Sequence, residues 1–315
     1  MIRYILKRIL IAVPVLLGIT VIDYFIMNLA GSPLEMMLGP RVTEAALAQK
    51  AEMLGLDQPV IVQYWNWLKE VFQGNLGYSI KQNLPVASLI GRYVGPTVLL
   101  MATSLIISML IAVPAGIHSA VKQYSKRDYV IVTLSFIATS VPSFFLALVL
   151  IYFFNLRLAV LPSSGMTTLG TAGGWADIIK HMILPVAVMV FSVVGVNIRY
   201  IRASMLEIME QDYLRTATAK GIGRRKVISK HALRNALLPI VTVFGLQVPM
   251  LFSGAVVIEQ VFSWPGLGLL TMTAILNRDF PLIMGVSLLS AIVVLLSNLI
   301  TDIIYAVVDP TIEYS

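Results

Sequence analysis

Few residues in this chain have the type and spacing to do covalent chemistry. The three histidines, His118, His181 and His231, are scattered, with no H-E-x-x-H run. A metal site built by this chain alone is not expected. No G-x-x-x-x-G-K-[ST] loop is present to cradle nucleotide phosphates, no G-x-S-x-G elbow, and no cysteine. An intramembrane protease or transferase with its own nucleophile is therefore disfavoured, and no cofactor is expected in this chain. What remains are ionisable and polar groups inside apolar segments, the default pointers to a transport path. Asp23, followed by Asn28, lies late in the first apolar segment. Near the other end Asn298 and Asp302 are four apart and share one helical face. Such acids can couple transport to protons or sodium. Their place near segment ends, away from the midplane, favours tying helices together.

A different kind of chemistry, docking, is suggested by YLRTATAKGIGRRKVISKHALRNALLP, Tyr213 to Pro239, with seven Lys and Arg between apolar segments. Glu207, Glu210 and Asp212 precede a helix-compatible run, where acids suit a helix start. Ala217 and Gly221 lie four apart on one face of little bulk, which another backbone or a partner's groove could approach closely. Gly221 can adopt positive φ and end the helix; RRKVISKHALRN then begins a second. Physics alone leaves a docking device and a purely topological basic loop both open.

The elements that must position these residues are membrane helices. The 315 residues are 58% hydrophobic and 12% charged, with a mean hydropathy of +0.86. That composition marks a polytopic membrane protein, not a water-soluble domain. Its net charge of +7 sits at the ends of apolar segments, which reads as topology and argues against nucleic acid as a partner. Six segments can cross a hydrocarbon core of about 30 Å: Ile9–Leu29, Thr97–Val121, Tyr129–Phe154, Met182–Ile198, Ala236–Ile258 and Pro281–Val308. With the N-terminus inside, fifteen Lys and Arg fall on the cytosolic side and eight outside, favouring N-in and C-in. The charged then apolar start resembles a signal peptide, but its apolar part is too long, so an uncleaved first span is expected. All four tryptophans fall on the outer side of this topology, as interfacial belts or external packing would place them.

Residues 31–96 are too many for a bare connection. TEAALAQKAEMLG reads as a helix ended by Gly55, and QPVIVQYWNWLKEVFQG as another, opened near Pro59 and closed by Gly74. The expected organisation is residues 1–30 as the first span, 31–96 as an external helical subdomain and 97–315 as the core, with a cytosolic loop at about 199–235. Pro14, Pro114, Pro142, Pro185 and Pro249 lie inside spans, where packing kinks are favoured over gating hinges. Asp309-Pro310 reads as a helix terminator.

The docking stretch resembles the loop of ABC importer permeases in which E-A-A-x-x-x-G precedes an I-x-L-P element. Ala217, Gly221 and Leu233 match, whereas Arg215, Thr216, His231 and Arg234 depart from the general pattern. Those departures resemble the narrower oligopeptide/dipeptide/nickel permeases, Y-[IV]-R-T-A-R-A-K-G…RHALRNAL-[IL]-P, with Thr218 where Arg is usual. The similarity continues through YILKRILIAVPVLLGITVIDYF, LGLDQPVIVQYWNWL, GNLGYSI, SVPSFFLALVLIYFF, PMLFSGAVVIEQVFSWPGLG, NRDFPLIMGVSLL and NLITDIIYAVVDPTIEY, where Thr311 replaces an Arg.

The resemblance implies an all-α, six-span type I (MetI-like) permease in the cytoplasmic membrane of a prokaryote. It implies a second homologous permease subunit, two cytosolic ATPase subunits that bind ATP and Mg, and an external substrate-binding protein. It also implies that Asp212, Tyr213, Arg215, Thr216, Ala217, Lys220 and Gly221 couple to the ATPases. Short peptides are the implied cargo, with nickel chelates or glutathione as alternatives. An ion-coupled secondary transporter and a membrane scaffold remain as readings from other classes.

Overall fold

The computed structural model describes residues 2–29, 31, 49, 51–52, 55–170, 173–223, 226–228, 245, 247 and 255–308. Its elements, in chain order, are α1 (Ile2–Leu29), α2 (Val60–Phe72), α3 (Val86–Val121), α4 (Lys126–Ser140), α5 (Ser143–Ile151), α6 (Trp175–Met209), α7 (Asp212–Ala219), α8 (Leu267–Leu276) and α9 (Phe280–Val308). The chain divides into two compact units. One holds residues 2–96 and 265–296, the other residues 97–264 and the chain from Ser297 onward.

In the first unit α2 starts at Pro59, which needs no N–H there, and ends before Gly74 at φ 81°. Its inner face packs on α1. Thr20 Oγ1 and the Tyr64 hydroxyl are 3.1 Å apart, and Tyr24 meets the Tyr64 ring edge-on at 5.5 Å. Asp23 accepts a 2.6 Å bond from the Ser287 hydroxyl, so this acid joins α1 to α9. The loop before α3 is held by Asp279, buried at 1% exposure. The Ser79 hydroxyl and the Ile80 and Lys81 N–H groups all donate to its carboxylate. The apolar helix α8 was not foreseen from the sequence; at ten residues, roughly 15 Å, it is too short to cross a membrane.

In the second unit the third expected span, Tyr129–Phe154, is not one helix. α4 and the segment Ser143–Arg157 meet at 94°. Pro142 cannot donate to the preceding turn, and its ring forces Val141 out of the helical region, to φ −86° and ψ 122°. Side chains add donors to carbonyls of the last turns of α4. Ser140 Oγ donates to Phe136 O at 2.8 Å, and Arg199 Nη1 to Ser135 O at 2.9 Å. α5 then widens into a π-helical turn, Tyr152–Arg157.

α6 is the axis of this unit. Its 35 residues reach roughly 52 Å, well past the Met182–Ile198 segment expected to span. It crosses α4 closely at Gly195, where any Cβ would overlap the Ser135 backbone, and α3 at Gly116, where a Cβ would come within 2.8 Å of Ile201. One apolar cluster, including Leu100, Val188, Met189, Ile258, Phe262 and Trp264, fills the side of α6 toward its N-terminal half. Trp264 is thus a core residue and no interfacial anchor, whereas Trp175 is exposed.

Among the described residues four helices are long and apolar enough to cross a membrane, and the bent pair makes a further candidate. Most of the expected fifth span, the TEAALAQKAEMLG helix, the His231–Arg234 segment and Asp309-Pro310 lie outside the described residues.

Candidate functional site

The site is assembled where α6 ends. The Glu210 N–H donates to Glu207 O at 3.3 Å and the Gln211 N–H to Ile208 O at 3.1 Å, closing the long helix. The chain turns at once into α7, which opens with Asp212, an acid suited to the positive end of a helix. α7 closes at Gly221, where φ is 80°, a left-handed conformation favoured by glycine. The Ile222 N–H donates back to Ala217 O at 3.3 Å, the long bond of a Schellman cap. Ile222 then packs beside the apolar cluster that holds Ala217.

That cluster shows which way α7 faces. Leu214 and Ala217, three apart, are 5% and 9% exposed. They lie in one group with Ala112 and Ala120 of α3, Ile201 and Met205 of α6, and Val227. The small side chain at Ala217, read from sequence as open to a partner's groove, is instead the seat of α7 on its own chain. Asp212, Tyr213, Arg215, Thr216, Lys220 and Gly221 are exposed. A Cβ added at Gly221 meets nothing within 4 Å, so its surroundings are open. Arg215 and Asp212 approach to 3.5 Å, but both are largely in solvent and such a pair contributes little.

A polar clamp that sequence reasoning missed joins α3, α4 and α6. Arg202 grips Asp128 with two bonds of 2.8 Å, from Nε and from Nη2. The Ser119 hydroxyl donates to the same carboxylate, and the Tyr124 N–H does so at 2.9 Å. Asp128 is thereby satisfied by donors from the end of α3, the following turn and α6, while opening α4 itself. A bidentate guanidinium fixes direction as well as distance. The signal was present as Ser125-x-x-Asp128, the pattern of a helix start, and Ser125 does cap α4 by accepting from the Asp128 N–H. Arg202, though, reads from the sequence as one of the fifteen cytosolic positive charges.

Two further polar contacts lie deeper in this unit. Asn197 donates to Ser108 at 3.1 Å and accepts from Gln247 at 2.9 Å. Glu259, fully buried, accepts from Thr97 at 2.6 Å; it follows directly on the expected end of the fifth span. Of the other residues singled out, Asn298 is exposed on α9 and Asp302 is half-buried one turn later. His181 Nδ1 lies 2.9 Å from the Asp177 carbonyl of its own helix.

The described residues thus form an apolar, membrane-type helical chain in which the long α6 leads into a short helix seated by one face and exposed on the other. Known proteins agree with that class. Residues 112–314 match the model of the binding-protein-dependent transport system inner membrane component, and residues 1–86 match its N-terminal companion. The oligopeptide transport system permease protein AppB of Bacillus subtilis (strain 168) is 44% identical over the full length of both chains. The dipeptide transport system permease protein DppB of Alkalihalophilus pseudofirmus is 37% identical, again over 100% of each. The glutathione transport system permease protein GsiC of Salmonella choleraesuis is 38% identical, likewise over the whole of each chain. An inward-facing structure of the MetNI methionine ABC transporter shares the fold, with a TM-score of 0.56 at 17% identity, over 71% of this chain and 97% of that one. The chain therefore belongs to the family of binding-protein-dependent transport system inner membrane components. It is a multi-pass membrane protein.

Proposed function

We propose that this chain is a transmembrane permease subunit of an ATP-driven importer carrying di- and oligopeptides across the cytoplasmic membrane of a prokaryote. The peptide cargo is supported by the names of full-length relatives at 37–44% identity. Glutathione, itself a short peptide, is the second reading, favoured by the relative at 38%. In this reading six spans run N-in and C-in. A second homologous permease completes the path, two cytosolic ATPase subunits bind ATP and Mg, and an external binding protein delivers the cargo.

The observation that carries the mechanism is the seating of α7. Leu214 and Ala217 fasten it to α3 and α6, so that its other face is free to rest in an ATPase subunit. Asp212, Tyr213, Arg215, Thr216, Lys220 and Gly221 form or border that outer face; Ala217 couples by anchoring it. A force on α7 passes into α6 through their shared cluster, and into α3 and α4 through the Arg202–Asp128 clamp. α6 then moves as a lever as the ATPase dimer closes, switching access to the path. Asp23 serves as a tie between α1 and α9, consistent with its bond to Ser287. Asn298 and Asp302 have no assigned step.

Reconstitution separates this reading from an ion-coupled transporter. In proteoliposomes the chain alone is expected to take up no labelled peptide under a proton or sodium gradient. Uptake should appear only with the second permease, the ATPases, the loaded binding protein and ATP. Gradient-driven uptake by the chain alone would overturn the proposal.

A further inference from the structure

α2 has two apolar faces, and only one is covered. Tyr64 and Trp67 pack with Tyr24 of α1, at ring separations of 5.5 and 6.2 Å. Beside them Ile61, Trp65 and Phe72 are 70%, 56% and 80% exposed. Spacings of four and seven place these three, with half-buried Leu68, within about 60° of the helix surface, next to the packed face. The opposite side is mostly hydrophilic, with Asn66, Lys69, Glu70 and Gln73 exposed around a single exposed Val62.

We infer that this stripe rests in the membrane–water interface, with lipid as its occupant, so that α2 lies on the bilayer as an interfacial amphipathic helix. Continuity is the argument. The stripe borders the seat on α1, a membrane-spanning helix whose Ile22, Phe25 and Ile26 are exposed at the same level. The contacts at Thr20 and Tyr24 lie nine and five residues before the end of α1, hence roughly 7–14 Å below it. Interfacial helices bury their apolar face about 5–10 Å into the headgroup and acyl boundary. Trp65 and Lys69 suit that level, the ring at the headgroups and the amine reaching toward water. The inference requires only that α1 spans a membrane, and it stands whichever substrate is carried.

The chain contains no cysteine, so single labels are specific when the partner subunits carry none. Ile61→Cys, Trp65→Cys and Phe72→Cys, with Asn66→Cys and Gln73→Cys, would be spin-labelled in the assembled complex. The vesicles would contain phosphatidylethanolamine and phosphatidylglycerol. Collision with oxygen should exceed collision with a water-soluble nickel chelate severalfold at positions 61, 65 and 72, with the order reversed at 66 and 73. Adding the external binding protein should leave positions 61, 65 and 72 unchanged. High nickel access at the stripe would place it in water. Low access to both probes, or protection appearing with the binding protein, would assign it to a protein partner; each result overturns the inference. A label-free arm covers variants that fail to assemble: bromine-labelled lipid should quench wild-type tryptophan emission more than that of Trp65→Phe, and equal quenching also overturns it.

Discussion

Ala217→Glu is expected to abolish coupled uptake while leaving the chain inserted in the membrane. The methyl group of Ala217 lies in an apolar cluster and is 9% exposed. A glutamate there must bury an unpaired carboxylate among Ala120, Ile201, Met205 and Val227, or drag α7 off its seat. Burial costs several kcal/mol, so undocking wins. Eight residues form no stable helix in isolation, and α7 then loses its shape as well as its anchor. The spans keep their own contacts. In the reconstituted complex, peptide uptake should fall by at least about tenfold, the equivalent of about 1.4 kcal/mol. ATP hydrolysis should cease to respond to the loaded binding protein. Ala217→Ser, which adds one small hydroxyl, should stay within a fewfold of wild type. Unchanged uptake by Ala217→Glu would show that the cluster does not hold α7.

The second large effect is expected at the clamp. Asp128→Ala removes the acceptor of the two Arg202 bonds, the Ser119 hydroxyl and the Tyr124 N–H at one stroke. The Asp128 side chain is 4% exposed and that of Arg202 21%, so salt screens the pair weakly. Leaving these donors unpaired should cost on the order of 2–4 kcal/mol. Thermal unfolding of the purified complex reads that loss directly. Arg202→Met should cost a similar amount. The double variant Asp128→Leu with Arg202→Met should recover part of it, because both charges leave together. In the mechanism above, either single variant also raises the ATP consumed per peptide, since α6 would move without α3 and α4. Strictly additive losses would show that the two side chains do not act as a pair.

Much of the fold was legible because membrane helices announce themselves by length and hydropathy. α1, α3, α6 and α9 all cover their expected spans. The end signals of α2, Pro59 and Gly74, also placed that helix closely. The break at Val141–Pro142 was less legible. A proline inside an apolar run bends some helices only slightly, and the structure alone shows that here the two segments meet at 94°. α8 was missed because ten apolar residues resemble a loop flanking a span.

At the site, spacing placed Ala217 and Gly221 on one short helix but could not say which face looked inward; that depends on α3 and α6, distant in sequence. Asp128, Arg202, Asp279 and Glu259 escaped for the same reason. Each looks like an ordinary charge at a span end until its partner, from 74 residues away for Arg202 and Asp128 to about 200 for Ser79 and Asp279, is brought beside it.

The claim on which the account turns is that the outer face of α7 meets an ATPase subunit. It is tested most directly by disulfide crosslinking between Thr216→Cys and single cysteines on the ATPase surface, in a transport-competent complex held at different stages of ATP turnover. A crosslink at Thr216 that forms in high yield and freezes uptake until reduced is the predicted result, with Ala217→Cys, facing its own core, giving little. Normal uptake with no product at Thr216, or a stronger product at Ala217, would contradict it.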